Sequence, residues 1–239
     1  ATQELLAGLG FGRPATSYEV LAGLVDPSTR LGKVLAHVFP VMAPALALAA
    51  DPDAALVRLE RVVAASAGDE RVADAIANDP TTARRLAHAV ASSSFATDLL
   101  AGAPERVLAM QADAEPGDAQ AELVSVVARY ATRELAPNQT GAELSSVADR
   151  VVRDAVEAAG PDLPFAVIGL GKLGAQELNF ASDLDVLFVH DPLPAAPQFG
   201  DEGAEVLGQR RLERHSQTGC GMGEGEFGGV QRLTRRLDR

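Results

Sequence analysis

Asp183 and Asp185 bracket Leu184 at the start of an apolar run that continues to His190. Residues i and i+2 of a strand point to the same face, about 6.5–7 Å apart along it. Two carboxylates held that way repel each other. A hard divalent ion such as Mg2+ relieves the conflict, because it takes oxygen ligands and also grips phosphate oxygens. Just upstream, Gly169, Gly171 and Gly174 punctuate Gly169-Leu170-Gly171-Lys172-Leu173-Gly174. Glycine lets a backbone approach a ligand without Cβ clashes, and N–H groups opening a helix favour an anion. Lys172 adds a positive charge at the same place, so phosphate is the natural ligand. The spacing is not that of a Walker A loop. Either half alone is commonplace: glycines suit any tight strand-to-helix turn, and paired aspartates often start a surface strand. Together they put a phosphate cradle beside a metal site. With two ions about 3.5–4 Å apart, such a site activates a hydroxyl and stabilises a leaving pyrophosphate, the requirements of nucleotidyl transfer from a nucleoside triphosphate.

Specific elements must position these residues. Phe165 to Ile168 is a short run rich in β-formers and reads as a buried strand stopped by Gly169. Residues 175–180 read as a short helix, Ser182-Asp183 as a second turn, and Leu184 to His190 as a second buried strand ended by Asp191-Pro192. Gly160 to Pro164 reads as a linker. Everything before it reads as helix. Residues 52–65, 81–91, 118–132 and 144–158 carry apolar side chains at helical spacing, the last as a stripe of Leu144, Val147, Val151, Val152, Ala155 and Ala158. Asp26-Pro27, Asp51-Pro52 and Asp79-Pro80 each offer a capping carboxylate before a proline at the first helical position. Ala103-Pro104 lacks such a cap, and Thr140 with Glu143 has the spacing of a capping box. The fold class is therefore α+β. A helical bundle over 1–160, with no site of its own, precedes a small catalytic core over 161–195 and a Gly- and Arg-rich tail over 196–239.

Composition limits the alternatives. The 239 residues are 47% hydrophobic, and the apolar stretches broken by Pro40, Pro44 and Asp51 leave no membrane span. No secretory signal is visible. A single cysteine, Cys220, excludes an internal disulfide framework and a cysteine zinc site. The net charge of −12 argues against nonspecific nucleic-acid binding. These features suit a cytoplasmic protein. The charge is uneven, however. Residues 201–239 hold 7 basic and 7 acidic side chains, so the first 200 carry the whole imbalance, together with 43 of the 44 alanines. A composition break near residue 195 follows.

Val167 to Gly174, then Glu177-Leu178, then Ser182-Asp183-Leu184-Asp185 and Phe188, resemble the signature of the glutamine synthetase adenylyltransferase family. Ser92-Ser93, Leu99-Leu100 and Pro104-Glu105 resemble that family's pre-catalytic helical region. The likeness implies a partial DNA polymerase β-like nucleotidyltransferase domain behind the helical bundle. It further implies transfer of AMP from ATP to a tyrosine of glutamine synthetase, or its removal by phosphorolysis, under control of a PII signalling protein. By the same likeness, Asp183 and Asp185 bind Mg2+ and are catalytic. Gly169, Gly171, Lys172, Gly174 and Ser182 form the nucleotide-binding set, and Leu178, Leu184 and Phe188 belong to the core. Leu9-Gly10-Phe11 and Phe39 to Met42 resemble the region before the C-terminal, adenylylating half, whereas Asn179-Phe180 occurs readily in the deadenylylating half.

The tail departs from the family. A third carboxylate is expected in a Val-Asp-x-Arg-Leu-Arg-Pro-like segment after Asp185, and no such segment is present. Glu224, Glu226 and Asp238 qualify by chemistry only, and Cys220 with His215 makes a poor metal pair. The chain reads as a piece of a longer enzyme with a divergent tail. Two other readings stand beside this one. One is a non-catalytic helical interaction module with a remnant nucleotidyltransferase core. The other is a Rossmann unit, with Gly169-x-Gly171-x-x-Gly174 as the dinucleotide turn and Asp191 as its ribose-binding acid.

Overall fold

Short polar side chains start most of the helices. The computed structural model describes residues 2–114, 117–161, 164–190 and 232–235. Nine α-helices occupy the described residues before 160: α1 (Thr2–Gly8), α2 (Pro14–Leu24), α3 (Arg30–Ala47), α4 (Pro52–Ala65), α5 (Glu70–Asn78), α6 (Pro80–Ser92), α7 (Ser94–Gly102), α8 (Ala119–Ala131) and α9 (Pro137–Ala159). A 3-10 helix, Pro104–Met110, joins α7 to α8 without a side-chain cap. Asp51 accepts from Ala54 N at 2.9 Å and Asp79 from Thr81 N at 2.8 Å, so the two Asp-Pro starts cap as expected.

Two expected starts differ. Asp26 folds onto its own turn, accepting from Ser28 N at 2.8 Å, and Thr29 caps α3 instead. Thr140 and Glu143 do not form a capping box, because α9 begins three residues before Thr140. Gln139 Oε1 accepts from Ala136 N at 2.9 Å, Thr140 donates back to Ala136 O, and Glu143 pairs with Arg129 of α8.

The larger core lies among α1 to α8, with Leu35, Met42, Leu56, Leu59 and Leu86 at most 1% exposed. Burying each such side chain contributes about 1.5–3 kcal/mol. A second core joins Leu123 and Val126 of α8 and Leu144 and Val147 of α9 to Leu173, Leu178, Leu184 and Val186. The last two helices thus pack on the strands. α9 ends at Gly160 in a left-handed conformation, and the hydrophobic packing runs across that point to the strands. The apolar stripe of α9 fades sooner than its sequence suggests: Val151 and Val152 are half-buried, and Ala155 and Ala158 are exposed.

Three strands, β1 (Phe165–Gly169), β2 (Leu184–His190) and β3 (Arg232–Arg235), form an antiparallel sheet in the order β1-β2-β3. β3 is the described part of the tail; the rest of residues 196–239, with Cys220, His215, Glu224, Glu226 and Asp238, lies outside the described residues. The strands are not fully buried, contrary to expectation. Phe165, Val167 and Gly169 are half-buried, and Leu184 and Val186 are fully covered. On the alternate positions, Ile168 is 47% and Val189 45% exposed. One face is packed on helices and the other is open. The antiparallel pairing of β1 with β2 also removes the Rossmann reading, which requires parallel strands joined by a full crossover helix. Asp191 itself lies outside the described residues.

Candidate active site

Strand alternation sorts the signature residues between the two faces. In β2, Leu184, Val186 and Phe188 point to the helices, so Asp185 points the other way; Asp183 lies just before the strand. Phe188 stacks on Phe165 with ring centroids 5.5 Å apart. Leu178 and Leu184, 4% and 7% exposed, are core residues as expected. Asp183 is exposed and Asp185 half-buried. The apolar partners of the aspartates therefore anchor β2 while Asp185 faces the open side.

The glycine turn differs in one respect from its sequence reading. The helix after β1 is not at 175–180. It is a single turn, α10 (Gly171–Gly174), lying within the glycine segment itself, and residues 175–183 follow as turns and irregular chain. The three glycines have different physical reasons. Gly171 has φ +53°, where glycine is favoured, and a Cβ there would lie 3.6 Å from Asp185 Oδ2. Gly174 packs on Gly169 so closely that a Cβ would meet Gly169 O at 2.6 Å. A Cβ at Gly169 would lie 3.0 Å from the Leu173 side chain. Leu170 N donates to Asp185 O at 2.8 Å, tying the turn to β2. Gly169, Gly171, Gly174 and Asp185 are thus brought together.

Lys172 is exposed on that turn, and its carbonyl accepts from Glu177 N at 2.8 Å. Gln176 N donates to Leu173 O at 3.1 Å. This pair of bonds is a Schellman closure, with Gln176 at φ +60° where glycine is usual. Ser182 closes a separate turn, its Oγ accepting from Asn179 N at 3.0 Å. The sequence reading missed Gln176 as a site-shaping residue. No glycine marks its left-handed conformation, so the signal lay only in the abrupt end of the glycine segment.

These residues fit a hard divalent cation in part. Two carboxylates at the start of β2, beside a turn without a side chain at Gly171, leave room for phosphate oxygens and waters to complete a Mg2+ shell. Among the described residues, no group of three or more His, Cys, Asp or Glu side chains converges on a metal position.

An acidic strand start thus lies against a glycine turn on a small antiparallel sheet packed on helices. Residues 56–205 match the family of glutamate-ammonia ligase adenylyltransferases, and the chain belongs to that family. It is 29% identical to the bifunctional glutamine synthetase adenylyltransferase/adenylyl-removing enzyme of Mycobacterium avium, over 86% of this chain and 25% of the relative. The enzyme of the same description from Mycobacterium marinum is 30% identical over 80% of this chain and 24% of its own length. That from Leifsonia xyli is 26% identical over 86% and 24%. The chain spans about a quarter of the length of these curated relatives. No solved structure matches it.

Proposed function

We propose that this chain carries a Mg2+-dependent nucleotidyltransferase site, and that the protein containing it moves AMP from ATP to a tyrosine of glutamine synthetase. The placement of Asp185 against Gly171 on the open face of the sheet carries this reading. Asp183 and Asp185 hold the metal, which supplies charge neutralisation to the phosphates when bound. Gly169, Gly171 and Gly174 keep the turn bare enough for phosphates to approach, Lys172 adds a positive charge, and Ser182 borders them. The phenol oxygen replaces pyrophosphate on the α-phosphorus, and the phenol proton leaves to water. The Leu9 to Phe11 and Phe39 to Met42 segments favour the adenylylating half; phosphorolysis, releasing ADP, is the reverse specialisation. A cytoplasmic setting under a PII signalling protein completes the reading.

The test is label transfer. The full-length parent, given labelled ATP, Mg2+ and glutamine synthetase, should label the synthetase, and Asp183→Asn with Asp185→Asn should sharply reduce transfer. Unchanged transfer in that variant removes the catalytic assignment. ATP titration with and without Mg2+ separates the remnant-core alternative, for which binding is metal-independent or lacking.

A further inference from the structure

Helix α9 carries Gly141, Ser145 and Asp149 at i, i+4 and i+8, which stack along one face. The segment leaving the glycine turn lies directly on that face. A Cβ added at Gly141 would lie 3.2 Å from Glu177 Cα and 3.4 Å from both Gln176 O and Glu177 C. Ser145, fully buried, donates to Gly141 O at 2.8 Å and accepts from Leu178 N at 3.4 Å. Gln176 Nε2 reaches Asp149 Oδ2 at 3.4 Å. Leu178 is sunk into the core between α9 and β2. Three contacts therefore hold residues 176–178 to one stripe of one helix, and Leu178 adds a core contact beside it. Those residues are also the closing bonds of α10, through Glu177 N to Lys172 O and Gln176 N to Leu173 O.

We propose that the Gly141–Ser145–Asp149 stripe positions the nucleotide turn. The helix sets where Gln176–Leu178 sits, the Schellman bonds pass that position to α10, and α10 holds Gly171 against Asp185. Gly141, Ser145 and Asp149 are positioning residues that act through Gln176–Leu178. The effect on nucleotide rests on the function proposed above, whereas the docking of the turn stands on the geometry alone. Gly141 gives the sharpest test, because the two roles open to it predict opposite signs. A glycine with no task inside a helix is stabilised by alanine. A glycine that keeps its place for a backbone contact is not, since Glu177 and Gln176 must give way.

The experiment uses the full-length parent with Gly141→Ala, Ser145→Ala and a control, Ser146→Ala, whose exposed hydroxyl donates to Ala142 O. Two readouts are taken: amide hydrogen exchange over residues 170–178 without ligand, and the KM for ATP against kcat. Gly141→Ala should speed exchange in that segment and raise the KM for ATP about tenfold with kcat changed much less, the loss that a small misplacement of a binding group produces. Ser145→Ala should speed exchange at Leu178 with a smaller rise in KM, and it reports even if Gly141→Ala fails to fold. The control should change neither. If Gly141→Ala raises the melting temperature and leaves exchange over 170–178 as in the parent, the positioning role is wrong. If exchange speeds up but the unmodified parent binds no ATP, the docking is upheld and the nucleotide reading fails instead.

Discussion

Carboxylates in the helical region and the aspartates at the start of β2 sit in different surroundings. Asp53, near the start of α4, is buried and accepts from Gly12 N at 2.7 Å, Arg13 N at 3.2 Å and the Ser17 hydroxyl. It clasps the chain before α2 to α4. Burial pushes its carboxyl up, but the hydrogen bonds from Ser17, Gly12 and Arg13 outweigh that and hold it below the ordinary value. Glu134 is similar. Hydrogen bonding by the Arg85 guanidinium holds it low against partial burial, with help from Thr132 and Arg84. Arg85 in turn donates to Met110 O at 2.9 Å and Gln111 O at 3.0 Å. These oxygens are committed to holding helices and the 3-10 segment together. Asp185 instead lies half-buried beside Gly171, on the face of β2 opposite Leu184 and Val186, and Asp183 is exposed just before that strand. A carboxylate inside a ring of donors maintains the fold; under the proposed function, the pair beside the glycine turn holds the metal.

Substitutions test that division, and the largest effect belongs to the open pair. Asp183→Asn with Asp185→Asn should cut label transfer by about a thousandfold, the loss of several kcal/mol of charge stabilisation. Its helical circular dichroism and urea midpoint should match the parent's. A large fall in the midpoint would place the pair with the structural carboxylates. Glu134→Ala should do the reverse. It leaves the Arg85 side chain, 10% exposed, without its carboxylate and should cost about 3 kcal/mol in urea unfolding, the low end for breaking a buried pair. Residual folded protein should keep its specific activity.

Asp53→Ala should cost about 1–3 kcal/mol, because the donors of Gly12, Arg13 and Ser17 lose their acceptor. It should also flatten the acid limb of a stability–pH curve. A folded value below the unfolded one means that Asp53 contributes in full above pH about 4 and loses the contribution as pH falls through the folded value. An unchanged acid limb in the variant would refute the clasp. Asp51→Ala, which removes a solvent-facing cap, should cost about 1 kcal/mol, read as a small shift of the same urea midpoint.

Local rules made much of this legible. The Asp51 and Asp79 caps, the apolar spacing of α4, α6 and α8, and the apolar run that forms β2 all act within a few residues, so sequence alone exposes them. Failures came where a competing contact, local or distant, chose between options. Asp26-Pro27 had the letters of a cap, but Thr29 took the role once the turn at Asp26–Ser28 closed on itself. The helix expected at 175–180 is displaced into the glycine segment, because Leu178 is drawn into the core and the chain must leave α10 early. The strands read as buried on both faces from their apolar content, yet only one face meets the helices. Gly141 gave no signal, since a glycine in an otherwise ordinary helix acquires meaning only from the backbone laid against it.

By itself the sequence determined the helical content, the glycine turn, the acidic pair and the family they belong to, because each depends on residue type at short spacing. Tertiary structure alone decided that β1 and β2 run antiparallel, that Asp185 shares a face with Ile168 and Val189, and that α9 lies against the segment leaving the turn. Those outcomes depend on which surfaces far apart in the chain bury one another, and no local pattern records that choice.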